Sequence, residues 1–424
     1  MKLTRYENEM LDGRHSEAKR LAMSGLVQLG EAVDAPDMVE IGYAHVHPGM
    51  ALYAKDVELM EDLANLGMKM AVPASANVIN ADLENWQQTG APEALVRLQA
   101  RVISVHQRME CGSALSCTPY WAGHWPTWNT HMTSLESGVT IFCNSVLGAK
   151  SNRDGFFALY AGATGRYPRF GYHLDENRIG SLLVHVDAPL ENTGDFSALG
   201  YHVGKIVGSG VPVFTGFSQR PSLDDMDALG ATLATAGGVT LFIVPGVTPP
   251  YASVGQAFGG RKPKAEITVT IKDLAAIYDS FGDGSETFDM VHLGCPHASY
   301  EEMKAYANLL RGRKVHGNVD LWVTTSRAIR DRARDSGFVA AIEETGGKVI
   351  ADTCPIECHF IRTGSPDPSL GVVPSGIKAM VVDSAKQAKY ARDMIFCKTL
   401  FTSPEFAVES AVTGRFVRRY GART

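Results

Sequence analysis

The chain has no closely spaced cysteine motif, no excess of basic charge and no long apolar run. Each absence excludes something. Its 424 residues carry 40 Lys+Arg against 46 Asp+Glu, a formal net charge of -6. A nucleic-acid binder normally shows a basic face, so that class is not expected. The opening, MKLTRYENEMLDGRHSEAKR, is charged and has no apolar core of the kind a secretory signal needs. The longest apolar run, near 239–244, is too short to span a bilayer and stops at Pro245. The expectation is a cytoplasmic protein with no membrane partner. Seven cysteines cannot all pair internally, and without a secretion signal thiols or metal ligands are expected rather than disulfides. No GxGxxG sits on a strand–helix turn, and GxxxxGK[ST], HExxH and GxSxG are missing. No repeat of fixed period and no low-complexity segment is found.

What is present is ordinary globular material: 45% apolar and 20% charged residues, enough for a large core. The length suggests about two to three lobes. Period-2 or continuous apolar runs predict strands at 38–46, 68–74, 181–188, 211–216, 238–250, 266–271, 288–294, 318–325, 348–353 and 378–383. Helical spacing predicts helices at 14–33, 55–66, 91–109, 222–237, 299–312, 326–345 and 384–394. Ser222/Asp225 and Ser299/Glu302 form capping signatures at two of these starts. VTIFC, ending at Cys143, reads as a core strand. The alternation implies an α/β fold with mainly parallel sheets and helices on both faces. Loop-like stretches at 273–286 and 362–376 are candidate boundaries. We expect one lobe or pair of lobes over 1–284 and a βα lobe over 285–424.

The densest polar span is 117–153, which holds Cys117, His131, Glu136, Asn144, Ser145, Asn152 and Arg153. Cys295 follows directly on the expected strand 288–294, and Cys354 on 348–353. In open α/β sheets ligands bind outside the carboxyl ends of strands. Cys117 stands in a similar turn beside a proline, which stiffens such a loop. Three thiolates from three loops can surround one inorganic cluster and leave an open metal position, as Lewis-acid chemistry requires. Free cysteines are more often inert buried residues, and that reading is kept for Cys111, Cys143, Cys358 and Cys397. Cys358, four residues from Cys354, is the ambiguous one. A zinc site of Cys354, Cys358 and His359 is a further alternative, though structural zinc usually brings four closely spaced ligands. Asn144, Ser145, Asn152 and Arg153 suit a carboxylate, with the guanidinium binding it bidentately. They serve equally well as turn formers and caps. The polar run holding His173, and His45 and His47 after the first strand, are candidate site residues that a solvated loop would also explain.

At this point the residues carry a resemblance. CTPY at 117–120, NSVLGAKSNRDG at 144–155, ATGRYPRFGYHLDENR at 163–178, ALGATLATAGGVTLFIVPGVTP at 228–249, HLGCPHASYEE at 292–302 and DTCP at 352–355 together resemble the aconitase X family over essentially the whole chain. The resemblance implies an aconitase-like multi-lobe α/β/α fold around a central cluster site. It implies a hydro-lyase with an iron–sulfur cluster held by Cys117, Cys295 and Cys354, its nuclearity ([2Fe-2S], [3Fe-4S] or [4Fe-4S]) left open. Asn77, Asn144, Ser145, Asn152 and Arg153 are the expected substrate-binding residues, and His131, Glu136 and His173 the proton-handling ones. The substrate is expected to be a small hydroxy acid: cis-3-hydroxy-L-proline first, mevalonate 5-phosphate second, with Arg261 and Lys262 as the latter's anion site. A small swivel-domain subunit, whose serine is expected to be the base, is the implied partner. The chain departs from the family's pattern at Asn129-Thr130-His131, Thr248-Pro249-Pro250-Tyr251, 77–82 and 45–48, loops expected to line the substrate pocket. These departures keep open a non-catalytic scaffold subunit with the same fold.

Overall fold

A computed structural model of the chain describes residues 1–46, 54–112, 114–282, 284, 286–358 and 376–420. Its described strands form three sheets. In the first, β1 (Met38–Val46) lies between β2 (Ala74–Ala76) and β3 (His131–Ser134), both parallel to it, while β4 (Arg166–Pro168) runs antiparallel to the start of β1. In the second, β5 (Leu182–Asp187) pairs in parallel with β6 (Pro212–Thr215) and β7 (Ala265–Thr270). The third holds β8 (Met290–Leu293), β9 (Asp320–Thr325), β10 (Lys348–Ala351), β11 (Ala379–Val382) and β12 (Lys398–Phe401) in the order β10-β9-β8-β11-β12, all parallel. Nearly every residue of these five strands is buried, as a sheet covered by helices on both faces requires.

The strand order of the third sheet sets the site. The chain leaves β8 in one direction through β9 and β10, then returns to start again at β11 on the other side of β8. The carboxyl ends of β8 and β11 therefore form a topological switch point, where such sheets open a crevice. Gly294 ends β8 at φ +89°, and a Cβ there would lie 2.3 Å from the Thr324 carbonyl oxygen. Only glycine fits, and the turn it permits delivers Cys295. The first sheet reaches the same edge through the loop after β2. Ile79 N–H donates to the Asp352 carbonyl at 2.9 Å, and Asp82 accepts from Ala351 N–H at 3.0 Å.

Several expectations need correction. VTIFC is not a strand: Ser137–Ser145 is a helix with all nine residues buried, capped by Glu136, whose carboxylate accepts from Val139 N–H at 2.7 Å. A helix buried all round shows no period, so it reads like a buried strand. Of 68–74 only Ala74 joins a strand; Met70 and Ala71 N–H bond instead to Met109 and Gly162 carbonyls. The 238–250 run contributes only an isolated bridge, Val213 to Ile243. Ile271–Asp279, expected as loop, is a helix. The single helix 326–345 is two, Arg327–Asp335 and Phe338–Glu343, parted by Gly337 at φ 78°. The candidate boundary at 362–376 falls almost wholly outside the described residues, as do His47 and His359. No described helix is long and apolar enough to cross a membrane.

Candidate active site

A cleft of about 840 Å³ opens at the carboxyl ends of the first and third sheets. Its polar lining includes Asn77 after β2, Glu136 and Ser137 after β3, Arg153, and Glu357 after β10. Leu59, Met60, Phe156, Leu159 and Met394 form an apolar wall. Asn77 is 4% exposed, and its buried Oδ1 has no hydrogen-bond partner among the described residues. Such an atom needs a partner that a ligand can provide.

Lys386, in the first turn of the helix Ala385–Met394, reaches across to Glu136 with Nζ–Oε1 at 2.7 Å. Both side chains are nearly enclosed, at 6% and 11% exposure. Burial alone would raise the Glu136 carboxyl, but the Lys386 charge and hydrogen bond and the Val139 N–H outweigh it and hold the group below the usual range. Burial likewise works against the Lys386 ammonium, and Glu136 with the Cys117 and Cys295 sulfurs more than restores it. At Glu357 burial and the nearby Glu136 charge outweigh the Lys386 ammonium and push the carboxyl up to about 7.

Cys117, Cys295 and Cys354 come together behind these groups. They are linked electrostatically in pairs, Cys117 with Cys354, Cys295 with Cys117 and Cys354 with Cys295. All seven cysteines are free, and these three are partly accessible whereas Cys111, Cys143, Cys358 and Cys397 are buried. Burial pushes all three thiols up. Each nonetheless receives a donor: His297 N–H to Cys117 Sγ at 3.3 Å, Ser384 to Cys295, and the Glu357 backbone N–H to Cys354. Donors aimed at sulfur, with the Lys386 ammonium beside two of them, suit thiolates rather than inert thiols. Among the described residues no three of His, Cys, Asp or Glu close on a single metal ion. Three thiols within mutual electrostatic reach, each with a donor at its sulfur, have the chemistry of cluster ligands. Cys358 is accounted for otherwise: its Sγ lies 3.2 Å from Thr353 Oγ1 and 3.5 Å from the Asn80 carbonyl, in the core.

The other expected site residues divide. Glu136, Asn77 and Arg153 line the cleft. Asn144, Ser145 and Asn152 are occupied internally. Asn144 Nδ2 donates to the Ser151 and Thr240 carbonyls, both at 2.9 Å, and its Oδ1 accepts from Ser151 N–H at 3.0 Å and Arg178 Nη1 at 2.9 Å. Ser145 Oγ accepts from Phe242 N–H at 2.9 Å. Asn152 bridges the Phe170 carbonyl and Tyr172 N–H. Their placement supports loop-holding rather than carboxylate reading. We expect Asn144→Ala to cost about 3 kcal/mol of stability, because Arg178 and Ser151 lose buried partners, while KM of the folded enzyme stays unchanged. Denaturant melts and Michaelis kinetics check this; a raised KM at unchanged stability would restore the binding role.

His131 and His173 are also elsewhere. His131 begins β3 at the end away from Ser134 and Glu136, on the order of 10 Å along the strand. The two rings meet each other, Nδ1 to Nδ1 at 3.0 Å, and burial lowers them to about 4 and about 3. Neither lines the cleft.

Lys386, Glu357, Ser384 and His297 escaped sequence reasoning. Glu357, three residues past Cys354, was within reach of it. Lys386 was not, since its relevance depends on β11 lying beside β8.

A buried carboxylate group borders Cys295: Asp224, Asp227, Glu302 and Asp383 line one small cavity. Burial pushes Asp227 up to about 7, although Tyr120 Oη donates to its Oδ1 at 2.6 Å. The raised native value means the folded chain holds a proton that the unfolded chain, near 3.9, releases. Stability from this group is therefore lost as pH rises between about 4 and 7. Asp227→Asn is expected to gain Tm relative to the parent on going from pH 5 to pH 8; a pH-independent difference would contradict the assignment.

The fold and site define a class: a multi-lobed parallel α/β protein whose cleft is bordered by Glu136 of a buried ammonium–carboxylate pair, with three interacting cysteine thiols close to that pair. Three family models match successive parts of the chain, the aconitase X first domain over 1–176, second domain over 180–279 and third domain over 288–413. The phosphomevalonate dehydratase large subunit of Methanothermobacter thermautotrophicus is 38% identical over 395 residues, covering 92% of this chain and 94% of that one. Cis-3-hydroxy-L-proline dehydratase of Pseudomonas aeruginosa is 32% identical over 98% of this chain and 70% of its own. The crystal structure of Thermococcus kodakaraensis aconitase X (holo-form) superposes with a TM-score of 0.84 at 31% identity, over 97% of this chain and 100% of that one. The chain belongs to the aconitase X family. It is a lyase of the dehydratase type with an aconitase-like fold.

Proposed function

We propose that the cleft dehydrates a small hydroxy acid, with Cys117, Cys295 and Cys354 holding an iron–sulfur cluster. The observation that carries this is the convergence of the three partly accessible thiols, each with its own donor, beside the Lys386–Glu136 pair. When bound, such a cluster supplies a Lewis-acid iron that polarises the bond to the leaving hydroxyl. Arg153 and the unsatisfied Asn77 Oδ1 orient the substrate, the guanidinium taking its carboxylate. The apolar wall excludes water around them. Glu136 stays ionised beside Lys386, and Glu357, pushed up to about 7, is protonated in part of the population near neutral pH and can then give its proton to the departing oxygen. A small swivel-domain partner supplies the base that removes the carbon-bound proton. The "large subunit" in the relatives' names supports a second, smaller chain.

Cis-3-hydroxy-L-proline is the leading substrate. Among the described residues the cleft lining presents one arginine, Arg153, against Asp56, Glu136 and Glu357, and this set suits one carboxylate. Arg261 and Lys262 do not line it. Mevalonate 5-phosphate is the second reading, favoured by the 38% and 35% identities to phosphomevalonate dehydratase large subunits. Both compounds are to be assayed with chain reconstituted anaerobically with iron and sulfide and supplied with the swivel subunit. A brown protein inert toward both sinks the substrate reading. A chain that takes up neither iron nor sulfide favours the scaffold subunit.

A further inference from the structure

We infer that His297 is a positioning residue that ties the three cysteine loops to one another, an inference that rests on the cluster-site reading above. His297 lies two residues past Cys295 and is 1% exposed. Its backbone N–H donates to Cys117 Sγ at 3.3 Å, and its carbonyl accepts from Thr118 Oγ1 at 3.1 Å. The imidazole then spans the remaining gap. Nδ1 lies 3.1 Å from Ser116 Oγ, next to Cys117, and Nε2 lies 3.0 Å from the Thr353 carbonyl, next to Cys354. One residue thus touches the neighbour of each of the other two cysteines while sharing a short loop with the third.

The partners fix the tautomer. A carbonyl only accepts, so Nε2 carries the hydrogen and Nδ1 is the acceptor. Ser116 Oγ accepts from Thr118 N–H at 3.0 Å, which leaves its own hydrogen to donate to Nδ1. Every polar atom in the chain Thr118–Ser116–His297–Thr353 is then used in one sense. Ser116, Thr118 and Thr353 are all buried, so no water competes for these bonds. The three loops come from distant parts of the sequence, Ser116 and His297 being 181 residues apart and His297 and Thr353 56 apart. Loops of that kind open locally unless something common restrains them. The imidazole is rigid between its two nitrogens, so it fixes a distance as well as a contact. A ligand set held at the right separation before the cluster arrives costs less ordering when it binds.

The test reads each thiol separately. Apo-protein is treated with iodoacetamide under native conditions, and the rate at each cysteine is followed by peptide mass spectrometry, with buried Cys111 and Cys143 reporting global unfolding. In His297→Ala, Cys117 and Cys354 are expected to alkylate about tenfold faster than in the parent, with Cys143 unchanged. In His297→Gln, whose amide reaches the Thr353 carbonyl but not Ser116, only the Cys117 rate rises. Ser116→Ala gives the same one-sided result without altering the histidine. Unchanged rates at Cys117 and Cys354, or a parallel rise at Cys143, overturn the inference. Iron retained by the reconstituted parent against a chelator is measured alongside. If the parent holds no iron, the cluster reading fails while the alkylation pattern still decides the role of His297.

Discussion

Replacing Cys295 or Cys354 with serine is expected to abolish dehydration, lowering kcat at least about a thousandfold, and to remove the visible absorbance of anaerobically reconstituted protein. Serine keeps the size of the side chain but not the soft thiolate that such clusters require. The structure sharpens the control. Cys143 is wholly buried in the helix Ser137–Ser145, and its electrostatic neighbour is Asp227 rather than any of the three candidate ligands. Cys143→Ala should therefore lower stability modestly and leave iron content and colour intact. Iron and sulfide analysis with absorbance spectra distinguishes the sites. A Cys295→Ser or Cys354→Ser protein that stayed brown and fully active would falsify the ligand assignment.

Lys386→Met is expected to be the second most damaging change. It leaves Glu136 in an almost enclosed site without its cation, and breaking a buried pair from one side costs about 3–5 kcal/mol. Denaturant midpoints should fall accordingly. The double variant Glu136→Gln/Lys386→Met removes both charges, and the amide oxygen still accepts from Val139 N–H at the helix cap. It should recover most of the lost stability and none of the activity, because the charged pair beside Cys117 and Cys295 is gone. A single Lys386→Met variant as stable as the parent would contradict the buried-pair account.

The legible and illegible parts of this site differ in physical kind. Gly294-Cys295-Pro296 and Thr353-Cys354-Pro355 each follow an apolar run of strand length, so their location at strand ends was readable from local pattern. Glu136 and Arg153 were readable only as members of the dense polar span 117–153, since the strand His131–Ser134 that Glu136 follows was not expected. Asn144, Ser145 and Asn152 looked like ligands because amides and hydroxyls have the same composition whether they bind a substrate or a backbone. Only their partners, Thr240, Phe242 and Phe170, reveal which. His131 stands five residues before Glu136 in sequence, yet it opens strand β3 while Glu136 follows that strand's far end.

The sequence by itself determined the alternation of strands and helices, the family, and the three thiols on strand-end turns. The alternation and the turns follow from side-chain periodicity and from glycine and proline at fixed offsets, which act over a few residues; the family follows from the motifs at 117–120, 144–155, 292–302 and 352–355. The tertiary structure alone decided which of those ends meet. The order β8–β11 sets Lys386 near Cys295, and the approach of the first sheet to that edge brings Lys386 onto Glu136 across 250 residues of chain and His297 onto Ser116 across 181. No local preference encodes that order; it is set by how the helices cover both faces of the sheet and by the buried charges that must find each other once water is gone.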